Sequence, residues 1–153
     1  LILSNYMQKN AKLEGYEFEV GGVFELGGGD LTLSYAKDSV QGRFADGSNI
    51  ARMVPSRNFY NISYSYDDLK VALNLKDVVR QNDVAVEETA TEAFQMLDFK
   101  IQKTFNLFNE SELNLSVFAN NLLDEVARNH TSFVKNEVPL PGRNYGIRGS
   151  FKF

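Results

Sequence analysis

Hydrophobic and polar residues alternate along this chain with a period of two over most of its length, which is the spacing of β-strands with two unlike faces and not of helices. In the first such segment Tyr16, Phe18, Val20, Gly22 and Phe24 oppose Glu17, Glu19 and Gly21. Leu31, Leu33 and Tyr35 then alternate with Asp30, Thr32 and Ser34, and Tyr60, Ile62, Tyr64 and Tyr66 with Asn61, Ser63 and Ser65. Val71, Leu73 and Leu75 alternate with Lys70, Asn74 and Lys76, and Leu97, Phe99, Ile101 and Phe105 with Asp98, Lys100, Gln102 and Thr104. Leu113, Leu115, Val117 and Ala119 oppose Asn114, Ser116 and Asn120. Finally Tyr145, Ile147, Gly149, Phe151 and Phe153 oppose Asn144, Gly146, Arg148, Ser150 and Lys152. The pattern predicts strands near 9–25, 30–44, 58–68, 70–81, 93–107, 111–122 and 142–153. Phe118, on a polar face, and Lys103, on an apolar one, break it.

The connections narrow the topology. Glu25-Leu26-Gly27-Gly28-Gly29, Asp67-Asp68-Leu69 and Phe108-Asn109-Glu110 read as tight turns, whereas 45–57, 82–92 and 123–141 are long and polar. Short and long connections therefore alternate, as in an antiparallel up-and-down meander with turns on one rim and loops on the other. A sandwich mixes loop lengths without such order. A closed soluble barrel of the lipocalin type shares the pattern, with its apolar face turned inward around a ligand. In a membrane barrel the apolar face meets lipid and the interior is wet. Tyr16, Phe24, Tyr35, Tyr60, Tyr66, Phe105, Phe151 and Phe153 fall near the predicted strand ends, where aromatic girdles lie at headgroup level, although aromatics favour strands in any setting. The first two segments, about 15 residues each, exceed the roughly 9–11 that cross hydrocarbon.

Composition excludes several kinds of chemistry. A net charge of −4 and a pI near 5.0 give no footprint for nucleic acid. There is no cysteine, hence no disulfide, thiolate nucleophile or Cys-based metal site, and the one histidine, His130, cannot build a multi-histidine cage. No apolar run is long enough for a membrane helix, and mean hydropathy is −0.30. No catalytic arrangement is found: Gly27-Gly28-Gly29 lies between strands, with no helix to make it a phosphate cradle. The expectation is a protein that is not an enzyme and holds no cofactor. Leu1-Ile2-Leu3-Ser4 has none of the marks of a secretory signal, and a chain that opens mid-pattern is expected to be part of a longer protein.

The last third carries a resemblance. Asn121-Leu122-Leu123-Asp124, then Arg128-Asn129-His130-Thr131-Ser132-Phe133-Val134-Lys135, then Pro139-Leu140-Pro141-Gly142-Arg143-Asn144-Tyr145 and a strand ending on Phe153 resemble the C-terminus of TonB-dependent outer-membrane receptors. Asn10-Ala11-Lys12-Leu13-Glu14-Gly15-Tyr16-Glu17, Asp46-Gly47 with Arg52-Met53-Val54-Pro55, and Glu87-Glu88-Thr89 are similar to upstream strand and loop segments of that family. The resemblance implies that residues 1–153 are one all-β segment, the last seven strands of a 22-stranded transmembrane barrel. The family's plug and TonB-binding segment lie outside the matched pattern. It further implies active uptake of a scarce nutrient (a metal chelate such as a siderophore, haem, zinc or a cobalamin-like molecule), in the bacterial outer membrane, with energy from the TonB complex. The implied partners are that complex, outer-membrane lipid, the barrel-assembly machinery and a small nutrient ligand, with no nucleic acid.

Specific residues follow. Tyr145, Ile147, Gly149, Phe151 and Phe153 resemble the signal that the assembly machinery reads by strand addition, an unpaired edge offering its backbone groups and alternate side chains filling pockets. A plain closing strand has the same pattern. Pro139 to Gly142 is a turn-forming run, and Arg143 is expected to pair with Asp124 or Glu125 at the rim. His130, with Asp124, Glu125 or Glu137, is a weak candidate metal or haem ligand; the ordinary reading is a solvated loop histidine. Asp83, Glu87, Glu88 and Glu92 form an acidic loop expected to be hydrated. Lys70, Lys76, Lys100 and Lys152 would share the wet face with Glu17, Glu19, Asp30 and Asp98. Two rival readings remain at this point: a soluble lipocalin-like barrel binding an apolar ligand, and a small outer-membrane barrel serving as an adhesin, although seven strands is an odd number for a complete one.

Overall fold

A computed structural model describes residues 7–108 and 111–153. Seven antiparallel strands form one sheet in chain order: β1 (Ala11–Leu26), β2 (Gly29–Phe44), β3 (Arg57–Tyr66), β4 (Leu69–Val78), β5 (Phe94–Asn106), β6 (Glu112–Asn120) and β7 (Asn144–Lys152). Each agrees with its predicted segment to within three residues. The largest trim is at Val79–Gln81, which leave the ladder after β4; Gln81 then bridges to Thr91. Asp67 and Asp68 belong to the turn and not to β3.

The turns explain the register. Gly27 and Gly28 both adopt left-handed φ (+59° and +84°), the backbone of a two-residue hairpin whose twist matches that of the strands it joins. Asp67, φ +47°, opens the second two-residue turn. In the third, the Leu107 N–H donates to the Ser111 carbonyl at 2.8 Å, and the predicted Asn109-Glu110 lies outside the described residues, as does Leu1-Ile2-Leu3-Ser4. Connections 45–56, 79–93 and 121–143 all emerge at the opposite rim, so the alternation of short and long connections holds.

With this register the alternation of each strand adds up across the sheet. Phe24, Leu31, Tyr64, Val71, Ile101, Val117 and Ile147 lie on one continuous line of paired residues, all on one face. Glu25, Asp30, Ser65, Lys70, Gln102, Ser116 and Arg148 form the neighbouring line on the other face. Toward the long loops the apolar band stops at Lys37, Asn58, Asp77 and Gln95, again one paired line. Asp77 there accepts from Asn58 Nδ2 (3.0 Å) and Gln95 Nε2 (3.1 Å). Tyr35 and Tyr60, ring centroids 5.1 Å apart, mark this border of the band and not the end of their strands, because β2 runs on for nine residues beyond Tyr35.

The apolar face is open. Leu115, Val117 and Ile147 are 39%, 44% and 79% exposed, whereas Ser116, pointing the other way, is 6% exposed. Each strand touches only its chain neighbours, and no described element lies across the apolar face. The buried hydrophobic cluster is small and sits under the loops: Val78, Phe94 and Ala127, with Met96 and Leu140 against it. Phe118 departs from the alternation for a local reason. Its ring covers Gly146 on the paired strand, where a Cβ would overlap the ring. Lys103 does lie on the apolar face, paired with Leu69 and Leu115 near the turn rim, where its long stem can carry the ammonium toward water.

Candidate functional site

Three arrangements carry the chemistry of this chain: the last strand, the clasp that leads into it, and a knot of charged side chains among the long loops.

On β7, Tyr145, Ile147, Gly149 and Phe151 share the apolar face, as the spacing predicts. Tyr145 and Phe151 are more than half exposed. Phe153 follows the end of the strand and stacks on Phe151, centroids 6.1 Å apart. β7 pairs only with β6, so within this sheet its second edge has unpaired backbone groups.

The motifs Asn121-Leu122-Leu123-Asp124 and Pro141-Gly142-Arg143, twenty residues apart, meet in space. Asn121 is fully buried, with left-handed φ of +50°, a conformation that asparagine tolerates better than most residues. Its Oδ1 accepts from Glu125 N (3.0 Å), and its Nδ2 donates to the carbonyls of Glu125 (2.9 Å) and Pro141 (3.3 Å). The Asn121 N–H is itself held by Asp98 Oδ1 on β5 at 2.9 Å. Asp124, also left-handed at φ +58°, accepts from Arg143 twice, from the backbone N at 3.2 Å and from Nη2 at 3.0 Å. Arg143 thus selects Asp124 over Glu125, while Leu122 supplies a carbonyl to Arg143 Nη1 (3.4 Å) and Leu123 stays half exposed. The two motifs are the two jaws of a clasp at the base of loop 121–143.

At the loop rim the acidic run does not behave as a hydrated unit. Glu88 turns inward. Its Oε1 accepts from Lys135 Nζ (2.9 Å) and the Arg52 N–H (3.0 Å) and lies 3.2 Å from His130 Nε2, while Oε2 accepts from Ala85 N (3.0 Å). The Glu88 side chain is 9% exposed and that of Lys135 is 7%. His130, expected to be solvated, is instead buried, and its Nδ1 faces Thr91 Oγ1 at 2.9 Å. One carboxylate therefore ties together all three long loops. Arg128 reinforces the knot by donating from Nη1 to the carbonyls of Lys135 and Asn136, and Thr89 donates to Asn136 Oδ1. Burial, followed by the Lys135 ammonium, pushes the His130 pKa below its ordinary value. Burial works to raise the Glu88 pKa, but the bonds from Ala85, Lys135 and Arg52 outweigh it and hold the carboxyl below its usual range.

This geometry changes the metal reading of His130. Its polar neighbours are Glu88, Thr91 and Lys135 and not Asp124, Glu125 or Glu137, and the Lys135 ammonium lies 3.5 Å from both ring nitrogens. An ammonium so placed repels a cation. Among the described residues no group of three or more His, Asp or Glu side chains is arranged to hold a metal ion. Elsewhere on the rim, Asp46 is held at about 2 by the Ser48 hydroxyl, then the Ser48 N–H and Lys9. Beneath loop 121–143 a crevice of about 310 Å³ is lined by Arg57, Lys76, Val78, Phe94, His130 and Leu140, among others. Sequence reasoning missed the knot, and the one signal for it was topological: alternate long connections of a meander share a rim, so Glu88 and His130 are brought close.

Compared with known proteins, the chain matches no family model and no curated protein.

Proposed function

We propose that this chain is the C-terminal part of the barrel wall of a TonB-dependent outer-membrane receptor, taking part in the uptake of a small, scarce nutrient. The observation that carries this reading is the apolar face, continuous as a pattern across seven strands, with no described element packed over it and with exposed side chains on β1, β2, β3, β5, β6 and β7. A soluble ligand-binding barrel needs those side chains to converge on a dry interior, and the exposure of Leu115, Val117 and Ile147 runs against it.

The shape of the apolar band also supports lipid contact. Its outward positions run from Tyr16 to Leu26 on β1, from Leu97 to Phe105 on β5 and from Tyr145 on β7 to Phe153 just past its end, comparable with the roughly 9–11 residues that span hydrocarbon. On the strands between, they cover shorter stretches. Relative to the line from Phe24 to Ile147, the band extends up to Tyr16 on β1 but only to Tyr145 on β7. Its centre thus drifts toward the turn rim by about four to five residues, roughly 15 Å, over six interstrand steps totalling about 29 Å. That inclination of about 25–30° approaches the ~35–45° at which strands cross a flat membrane.

In this reading β7, with its exposed aromatics and an edge free to pair, is the strand recognised by the barrel-assembly machinery, and the long loops face the cell exterior. Because the chain has no cysteine, single-cysteine spin labels test the reading directly. Labels at Ile62, Leu73 and Ile147 in bilayers are expected to collide with dissolved oxygen, and labels at Ser63, Asn74 and Arg148 with a water-soluble nickel chelate. If the first set proves shielded from both reagents, as in a packed core, the reading is wrong.

A further inference from the structure

The loop knot has a property that neither the clasp nor the strands need. Glu88 meets a backbone N–H from loop 45–56, its own loop 79–93, and two side chains from loop 121–143; the Glu88, Lys135 and His130 side chains are little exposed, while Arg52 is exposed. One of its contacts and its own chain neighbour come with strained backbone: Arg52 and Glu87 hold left-handed φ of +59° and +64°, a conformation that costs a non-glycine residue on the order of 1–2 kcal/mol. Such strain persists only while the surrounding contacts hold it. His130 belongs to two environments at once, because it touches Glu88 and also forms part of the roof of the crevice lined by Lys76 and Phe94.

We propose that the Glu88–Lys135–His130 knot is an acid-released latch, fastening the three long loops into one cap over that crevice at neutral pH and letting the cap open in acid. The latch is a property of the loops and stands whichever face of the sheet meets lipid.

The charges around the knot set its direction. Glu88 and Lys135 face His130 directly; Arg128, Arg57 and Lys76 line the crevice on its other side, and Arg52 and Glu87 line the cleft beside Glu88 and Lys135. Burial first and the Lys135 ammonium second oppose a proton on His130, the Glu88 carboxylate favours one, and the balance disfavours the charged ring. Such a proton also meets Thr91 Oγ1, 2.9 Å from Nδ1, a hydroxyl that can donate there only while that nitrogen is unprotonated. A proton on Glu88 removes the acceptor shared by Lys135, Arg52 and His130. Both groups hold depressed pKa values in the closed cap, so each contributes stability above its open-state value and loses it as pH falls. The open-state values are 6.5 for His130 and 4.5 for Glu88, so release begins below pH 6.5 and deepens below 4.5.

Hydrogen exchange of the full chain in bilayers, corrected for intrinsic rates between pH 7.5 and about 3.5, tests the latch. Peptides covering 45–56, 79–93 and 121–143 are expected to lose protection together, by up to about tenfold at pH 5.5, while amides of β3–β5 keep theirs. Glu88→Gln opens all three loops at pH 7.5. His130→Asn postpones release to the Glu88 range. Thr91→Val, which removes only the hydroxyl facing Nδ1, lowers protection at pH 7.5 and shrinks the further loss on going to pH 5.5, and it serves should the histidine variant lose its fold, as the strand amides would reveal. Loops that lose protection independently of one another, or a His130→Asn profile matching the parent's, overturn the proposal.

Discussion

Replacing Asn121 by alanine isolates what the clasp contributes. Three side-chain hydrogen bonds disappear, to Glu125 N, Glu125 O and Pro141 O, at a site with no exposure to water. At a net contribution of about 1 kcal/mol each, their loss costs about 2–3 kcal/mol once some carbonyls find water. Alanine at φ +50° adds about 1 kcal/mol of backbone strain. The sum, about 3–4 kcal/mol, falls on a loop that can open without melting the sheet. It should therefore be read as amide exchange within 121–143, faster by at least about a hundredfold at 25 °C, with β3–β5 unchanged. Asn121→Gly separates the two contributions: it relieves the strain but not the lost bonds, and should remain about 2–3 kcal/mol short of the parent. If the alanine variant exchanges like the parent, or glycine restores full protection, the clasp hydrogen bonds do not hold the loop.

Three other substitutions test neighbouring features. Gly146→Ala drives a Cβ into the Phe118 ring and should cost about 1–3 kcal/mol in a urea titration, with Phe118→Ala in the same chain recovering much of it; additive effects would mean that the ring moves aside freely. Arg143→Met breaks an ion pair whose side chains are 42% and 55% exposed, so a stability loss under ~1 kcal/mol that shrinks in high salt is expected, and a loss above ~2 kcal/mol would contradict it. Ile147→Lys places a charge on the exposed apolar face and should reduce bilayer insertion by about 2–4 kcal/mol near the midplane, whereas Arg148→Ala on the opposite face should change it little. Equal insertion of parent and Ile147→Lys would count against lipid contact.

The strands were legible because period-two alternation and two-residue turns are local signals. Gly27-Gly28 and Asp67-Asp68 set the register of two hairpins within a few residues of sequence. The jaws of the clasp were visible as motifs, and Asp124 was one of two partners expected for Arg143, but the central role of Asn121 was not foreseen: no periodicity marks a buried amide at the end of a strand. The knot was least legible. Residue type suggested that Glu88 would be hydrated with Asp83, Glu87 and Glu92 and that His130 would be solvated, whereas both are drawn inward, and Lys135 and Glu88 lie 47 residues apart. Irregular segments carry no repeating pattern, so their partners are chosen by which loops share a rim and by the cost of burying one charge without another. Phe118 was visible as an exception, yet its cause, a bare glycine on the paired strand, depends on register.

The longest connection in this chain is the one that precedes its final strand. Neighbours joined by two residues can meet almost at once, whereas β6 and β7 must first close a segment running from 121 to 143. Loop-closure entropy rises with length, so β7 is expected to join the sheet later than the strands paired by two-residue turns. A strand that joins late keeps both edges open for longer, which is the condition under which strand addition by another sheet is possible.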